Sequence, residues 1–126
     1  MAIERDAGRC ATIARNAAAL GVPQLRIVEG TAPEIFDAIE TAPDVIFAGG
    51  GAARTGLLER CWDVLPSGGR LVANAVSLEA GARLLDFRRR HGGELARMAV
   101  ARAAPVGRLT GLRALMEVTQ YAGAKP

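Results

Sequence analysis

Asp44-Val45-Ile46-Phe47-Ala48-Gly49-Gly50-Gly51 is the stretch on which the fold turns. A short apolar run rich in β-branched and aromatic residues, closed by glycines, reads as a strand. It shows no polar alternation after Asp44, so burial on both faces is expected, as in a parallel sheet. Three consecutive glycines are entropically costly. They are retained where backbone passes close to a ligand or takes positive φ, which places Gly49, Gly50 and Gly51 in a site.

The same alternation extends outward in both directions. Downstream, Leu57, Leu58, Cys61, Trp62 and Leu65 form the apolar face of a helix. Pro66-Ser67-Gly68-Gly69 makes a tight turn, and Arg70 to Ala75 is the next strand. A helix from Leu78 to His91 ends in Arg88-Arg89-Arg90, which suits the negative end of its dipole. Its arginines and His91 read as solvated surface. After Gly92-Gly93 come two strands, about 95–103 and 115–122, flanking a loop from Pro105 to Arg113.

Upstream, Ala2-Ile3-Glu4 are the last residues of a strand. Asp6 caps a helix through Cys10, Ile13, Ala14, Ala17 and Leu20, stopped by Gly21. Leu25 to Val28 is a strand. Gly30 to Pro33 is a turn, with Pro33 opening a helix from Glu34 to Glu40. Strand–helix alternation predicts a parallel α/β sheet with helices on both faces. Such sheets bind ligands at the carboxyl ends of their strands. Glu4, the turn Gly30-Thr31-Ala32, the three glycines, Asn74 and Ser77 occupy those positions.

Composition narrows the function. The chain has 126 residues, one domain's worth, and its 50% apolar content is that of a globular protein. No apolar run is long enough to span a membrane, and no secretory signal opens the sequence. Cys10 and Cys61 lie far apart without CxxC spacing. They read as inert thiols in a reducing cytoplasm, with no metal site. Residues 1–63 carry six arginines against nine acids, and residues 64–126 carry ten basic against four acidic side chains. Of the sixteen basic residues all but Lys125 are arginine, whose fork binds carboxylates and phosphates bidentately. A polyanionic partner is implied. With Phe87 the sole aromatic between Arg83 and Arg113, where eight arginines face two acids, stacking on bases is poorly served. A small polycarboxylate is favoured over nucleic acid.

Glu4 ends a strand just before a helix, where a carboxylate can accept from both hydroxyls of a ribose. The Gly30-Thr31-Ala32 turn lets a flat ring lie against backbone that reads an adenine edge. Each has a plainer reading, as a dipole-stabilising acid and as a simple turn.

Together these motifs carry a resemblance. Ala2-Ile3-Glu4-Arg5, Ile13 and Asn16, and Glu29 through Glu34 lead into Phe47-Ala48-Gly49-Gly50-Gly51. Gly68-Gly69-Arg70 through Val76, Leu78-Glu79, Ala101-Arg102-Ala103, Pro105, Gly107-Arg108 and Gly111 follow in order. The sequence resembles the decarboxylating methyltransferase domain family of the cobalamin pathway, the C-terminal domains of precorrin-6Y C(5,15)-methyltransferases and their free-standing homologues. The resemblance implies a class I Rossmann-like methyltransferase sheet with a C-terminal antiparallel strand pair. It implies S-adenosylmethionine as methyl donor, with Glu4, Gly30, Thr31, Ala32, Gly49 and Gly50 as its binding residues. It implies a polycarboxylate tetrapyrrole as acceptor, methylated at carbon 15 and relieved of carbon dioxide from an acetate side chain. Gly51, Arg54, Arg102, Arg108 and Arg113, taken to lie in loops or at strand ends, become the substrate contacts. Asn74 and Ser77 become the helpers of catalysis.

The family's first strand and Gly-rich loop should precede Glu4 and are absent, so residues 1–126 are expected to be one N-terminally truncated domain with a gap in its sheet. The family also implies a homo-oligomer and an N-terminal partner domain for carbon 5. The rival readings are an NAD-linked dehydrogenase, though Gly-x-Gly-x-x-Gly is missing, another small-molecule methyltransferase, and a non-catalytic remnant or assembly module.

Overall fold

The computed structural model describes residues 1–39 and 41–126, in two compact units, Met1–Thr41 and Ala42–Pro126. In the first unit β1 (Ala2–Glu4) pairs in parallel with β2 (Ile27–Glu29), bringing Glu4 level with Glu29. Helix α1 (Ala7–Ala19) begins where the Asp6 carboxylate accepts the Arg9 N–H at 2.8 Å. Strand β2 starts two residues later than expected. The Leu25 N–H is spent on the Val22 carbonyl in a turn and cannot join the ladder.

The expected helix from Glu34 to Glu40 is instead a single 3-10 helix, Glu34–Ala38. Its intended end, Glu40, lies outside the described residues. Pro33 presets the first turn, but no side chain caps it. So short a segment gains little from α-helical propagation and settles into the tighter turn.

The second unit holds β3 (Val45–Ala48), α2 (Leu57–Val64), β4 (Arg70–Ala75), α3 (Leu78–His91), β5 (Glu94–Met98), β6 (Ala101–Val106), β7 (Leu109–Ala114) and β8 (Val118–Ala124). Four strands form one sheet in the order β3-β4-β8-β5. Strands β3 and β4 are parallel, and β8 runs antiparallel to both β4 and β5. The sheet is therefore mixed, and β5 with β8 supplies the antiparallel pair.

The segment read as a loop is an antiparallel ribbon, β6 with β7, turning at Gly107 with φ +59°. Its proline, glycines and arginines resemble a loop in composition. Pro105 is tolerated because a two-stranded ribbon has only edge strands.

Helices α2 and α3 pack on one face of this sheet. Trp62 of α2 meets Phe87 of α3 edge-on, with centroids 5.5 Å apart, and Phe87 meets Tyr121 of β8 edge-on at 5.2 Å. Leu65, Leu71, Leu84, Phe87 and Tyr121 are fully buried. His91 joins this cluster, 4.3 Å from Phe87 and 5.0 Å from Trp62, so it is half-buried core and not surface. Lys125 closes the far end. Its ammonium donates to the Trp62, Asp63 and Leu65 carbonyls at 2.9, 3.1 and 2.8 Å, satisfying the last turn of α2.

Pleating turns Val45, Phe47, Val72, Asn74 and Gln120 to the other face. Val45 is 59% and Phe47 63% exposed, which corrects the expectation of burial on both faces. Both helices of this unit serve the opposite side, so the apolar run of β3 is covered on one face only.

Candidate functional site

In the first unit the carboxyl ends of β1 and β2 bring Glu4 and Gly30 together, the Gly30 N–H donating to the Glu4 carbonyl at 3.0 Å. The Glu4 Oε1 accepts the Arg5 and Asp6 N–H groups at 2.9 and 3.0 Å. Its Oε2 lies 3.7 Å from the Arg9 guanidinium. Chiefly the Asp6 N–H, with the Arg5 N–H and the Arg9 charge, holds this carboxyl below the usual carboxylate range. Glu4 is therefore an oriented anion, with acceptor capacity left on Oε2. The Thr31 carbonyl accepts the Ile35 N–H at 3.1 Å, so the turn's backbone is set by the 3-10 helix that follows. Thr31 and Ala32 are half-buried.

In the second unit the carboxyl ends of β3 and β4 carry Gly49–Gly51 and Asn74. Gly51 has φ +80°, so a left-handed turn accounts for it. Gly50 is different. A Cβ there would meet no protein atom within 4 Å, and its backbone is not in the left-handed region, so nothing in the fold demands glycine. The space beside its Cα is open.

Asn74 and Gln120 stand directly opposite in register, and the Gln120 Nε2 donates to the Asn74 Oδ1 at 2.9 Å. Gln120 escaped the sequence reading. Its only signal was parity, a polar residue sharing a strand face with Val118 and Ala122. The Ser77 hydroxyl is engaged in the fold, accepting the Ala80 N–H at 3.2 Å as the cap of α3.

The arginines separate. Arg54 follows the glycine turn, its N–H on the Gly51 carbonyl, and lines a cleft of about 120 Å³ with Ala52, Leu58, Glu59, Arg83 and Arg90. Arg102 is the second residue of β6 and Arg113 the second-last of β7, so both lie in strands next to their ends and not in a loop. They face each other across the β6–β7 ribbon, with Arg108 at its turn. Neither Arg102 nor Arg113 has an ion-pair partner among the described residues. The Arg88-Arg89-Arg90 run is partnered, to the Gly93 carbonyl, Asp86 and Glu59 respectively.

Both cysteines are free thiols, and burial pushes Cys61 up to about 11 and raises Cys10. Both stay protonated at neutral pH. Among the described residues no cluster of His, Cys, Asp and Glu is built to hold a metal. Among the described residues no helix is long and apolar enough to cross a membrane.

Residues 1–125 match the family model of the precorrin methyltransferase domain. The chain belongs to that family. It is 47% identical, over 98% of its length, to the precorrin-6Y C(5,15)-methyltransferase (decarboxylating) of Sinorhizobium sp, of which it spans 30%. The chain thus covers about a third of that relative's length. Among solved structures it resembles a precorrin-6Y C5,15-methyltransferase domain from Corynebacterium diphtheriae, with TM-score 0.90, 38% identity, and 98% of this chain and 73% of that one covered. The C-terminal domain of the Rhodobacter capsulatus precorrin-6Y C5,15-methyltransferase gives TM-score 0.88 at 39% identity, covering 98% and 66%. Solved O-methyltransferases below 25% identity also overlay, with TM-scores of 0.61 and 0.63, which shows the shared methyltransferase fold alone.

Proposed function

We propose that this chain is part of a cytoplasmic enzyme that transfers a methyl group from S-adenosylmethionine to carbon 15 of a precorrin and decarboxylates an acetate side chain, in cobalamin biosynthesis. The observation carrying this reading is the family match across residues 1–125.

The residues fit the donor. The free acceptor capacity of Glu4 suits the ribose hydroxyls, and the Gly30-Thr31-Ala32 backbone suits an adenine edge. Gly50 leaves open space after β3, while Gly49 backs onto the Phe47 ring. When bound, S-adenosylmethionine supplies an electrophilic methyl group. The chain's own residues then bind and orient. Gly51 admits the macrocycle close to the backbone. Arg54, Arg102, Arg108 and Arg113 clamp its carboxylates through charge-assisted hydrogen bonds. Since the electron-rich macrocycle is itself the nucleophile, holding its reacting carbon in line with the methyl carries much of the rate. Asn74 donates to a substrate carboxylate, and Ser77 holds the start of α3 beside it in sequence.

In this reading residues 1–126 are one portion of a longer methyltransferase domain, a view supported by the share of its relatives that the chain spans. Strands β1 and β3 each pair on one side only among the described residues. The enzyme works as a homo-oligomer, with an N-terminal domain acting on carbon 5.

The test is to incubate the full-length protein with S-adenosylmethionine and a precorrin and follow the product by mass spectrometry. Gain of one methyl group at carbon 15 with loss of one carbon dioxide is expected. An unchanged tetrapyrrole, with the protein folded, overturns the proposal.

A further inference from the structure

The outer face of the β3-β4-β8-β5 sheet is apolar across its middle. Val45 and Phe47 come from β3, Val72 from β4, Val118 and Ala122 from β8, and Ala96 and Met98 from β5. Asn74 and Gln120 are the polar pair within this surface. Ala96 lies opposite Gln120 on its other side, so the neighbouring strand offers the glutamine amide no competing side-chain partner there. Its charged neighbours on this face are Glu94 of β5 and Arg70 of β4, further toward the other end of the sheet.

The direction of the bond between the two amides carries information. Gln120 donates its Nε2–H and Asn74 accepts through Oδ1. A planar amide whose oxygen is held cannot exchange its oxygen for its nitrogen without breaking that bond. The Asn74 NH2 is therefore directed away from Gln120, and it has no protein partner among the described residues. It stands at the carboxyl end of β4, beyond which sheets of this kind bind their ligands.

We propose that Gln120 is a positioning residue: by donating to the Asn74 carbonyl it fixes the Asn74 amide so that its NH2 faces the substrate as a donor to a carboxylate. The inference rests on the functional reading above. It adds the residue that decides whether Asn74 presents a donor or an acceptor.

The test compares Gln120→Glu and Gln120→Met with wild type in the full-length protein, after thermal melts confirm that both fold. An ionised carboxylate accepts only, so in Q120E at pH 8 the Asn74 amide turns over and shows its oxygen to the substrate. A loss in kcat/KM of about tenfold is expected, larger than the roughly threefold loss of Q120M, where the amide is merely released. Near pH 4 most of an ordinary glutamate carboxyl is protonated and donates again, so Q120E recovers relative to wild type while Q120M does not. Wild-type activity in both variants, or an equal loss with no recovery in acid, overturns the proposal.

If wild type itself leaves the tetrapyrrole unchanged, the functional reading fails instead. Side-chain amide NMR then decides the positioning. A shift of the Asn74 NH2 resonances in Q120M supports it, and unchanged resonances overturn it.

Discussion

The four-stranded sheet and the β6–β7 ribbon are both built of apolar residues, yet they are held in opposite ways. On the sheet's helical face Leu71, Leu84, Phe87 and Tyr121 are fully sequestered. On the ribbon Leu109 and Leu112 are 78% and 79% exposed, and no residue of either strand is buried. An isolated two-stranded ribbon is marginal in water, and this one also sets Arg102 against Arg113, a like-charge pair that weakens the pairing. Burial therefore holds the sheet together, while the exposed ribbon contributes little to the core.

Substitutions should separate the two regions. Phe87→Ala removes the ring at the centre of the aromatic cluster and should cost about 3–5 kcal/mol in chemical denaturation. A loss below about 1 kcal/mol would mean that the cluster is not the core. Lys125→Met should cost about 1–2 kcal/mol, because three carbonyls of the α2 end lose a charged donor. Arg113→Ala tests the ribbon. Stability should stay level or rise by a few tenths of a kcal/mol as the repulsion is relieved. The KM for the tetrapyrrole should rise about tenfold as a carboxylate clamp is lost. The reverse pattern, lost stability with unchanged KM, would make the arginine pair structural. Leu112→Ala should change stability by no more than about 0.5 kcal/mol. A core-sized loss there would show that the ribbon is covered in solution.

Much of the sheet was legible because its signals are local. The apolar run closed by glycines, the five apolar positions of α2, the Asp6 cap and the Gly68-Gly69 turn each depend on near neighbours in sequence. What was hidden depends on partners far away. The ribbon was missed because Pro105, Gly107 and Gly111 carry loop composition, and only cross-strand pairing reveals the hairpin. The exposure of Phe47 was missed because a run of apolar residues does not say how many faces its unit covers. Among the candidate site residues, the positions of Glu4, Gly50 and Asn74 at or next to strand ends were legible in the sequence. Gln120 was not, because its role exists only through a register that joins residues 46 positions apart. Ser77 shows the reverse case, since a residue at a strand end can be needed first as a helix cap.

In the proposed function Glu4, with the Gly30-Thr31-Ala32 turn beside it, holds the ribose and adenine of an S-adenosyl donor. Calorimetric titration of S-adenosylhomocysteine into the full-length protein and its Glu4→Gln variant tests it most directly. Saturable binding to the natural protein, weakened about tenfold in E4Q by loss of a charged acceptor, is the predicted result. No binding, or equal affinity in both proteins, would contradict it.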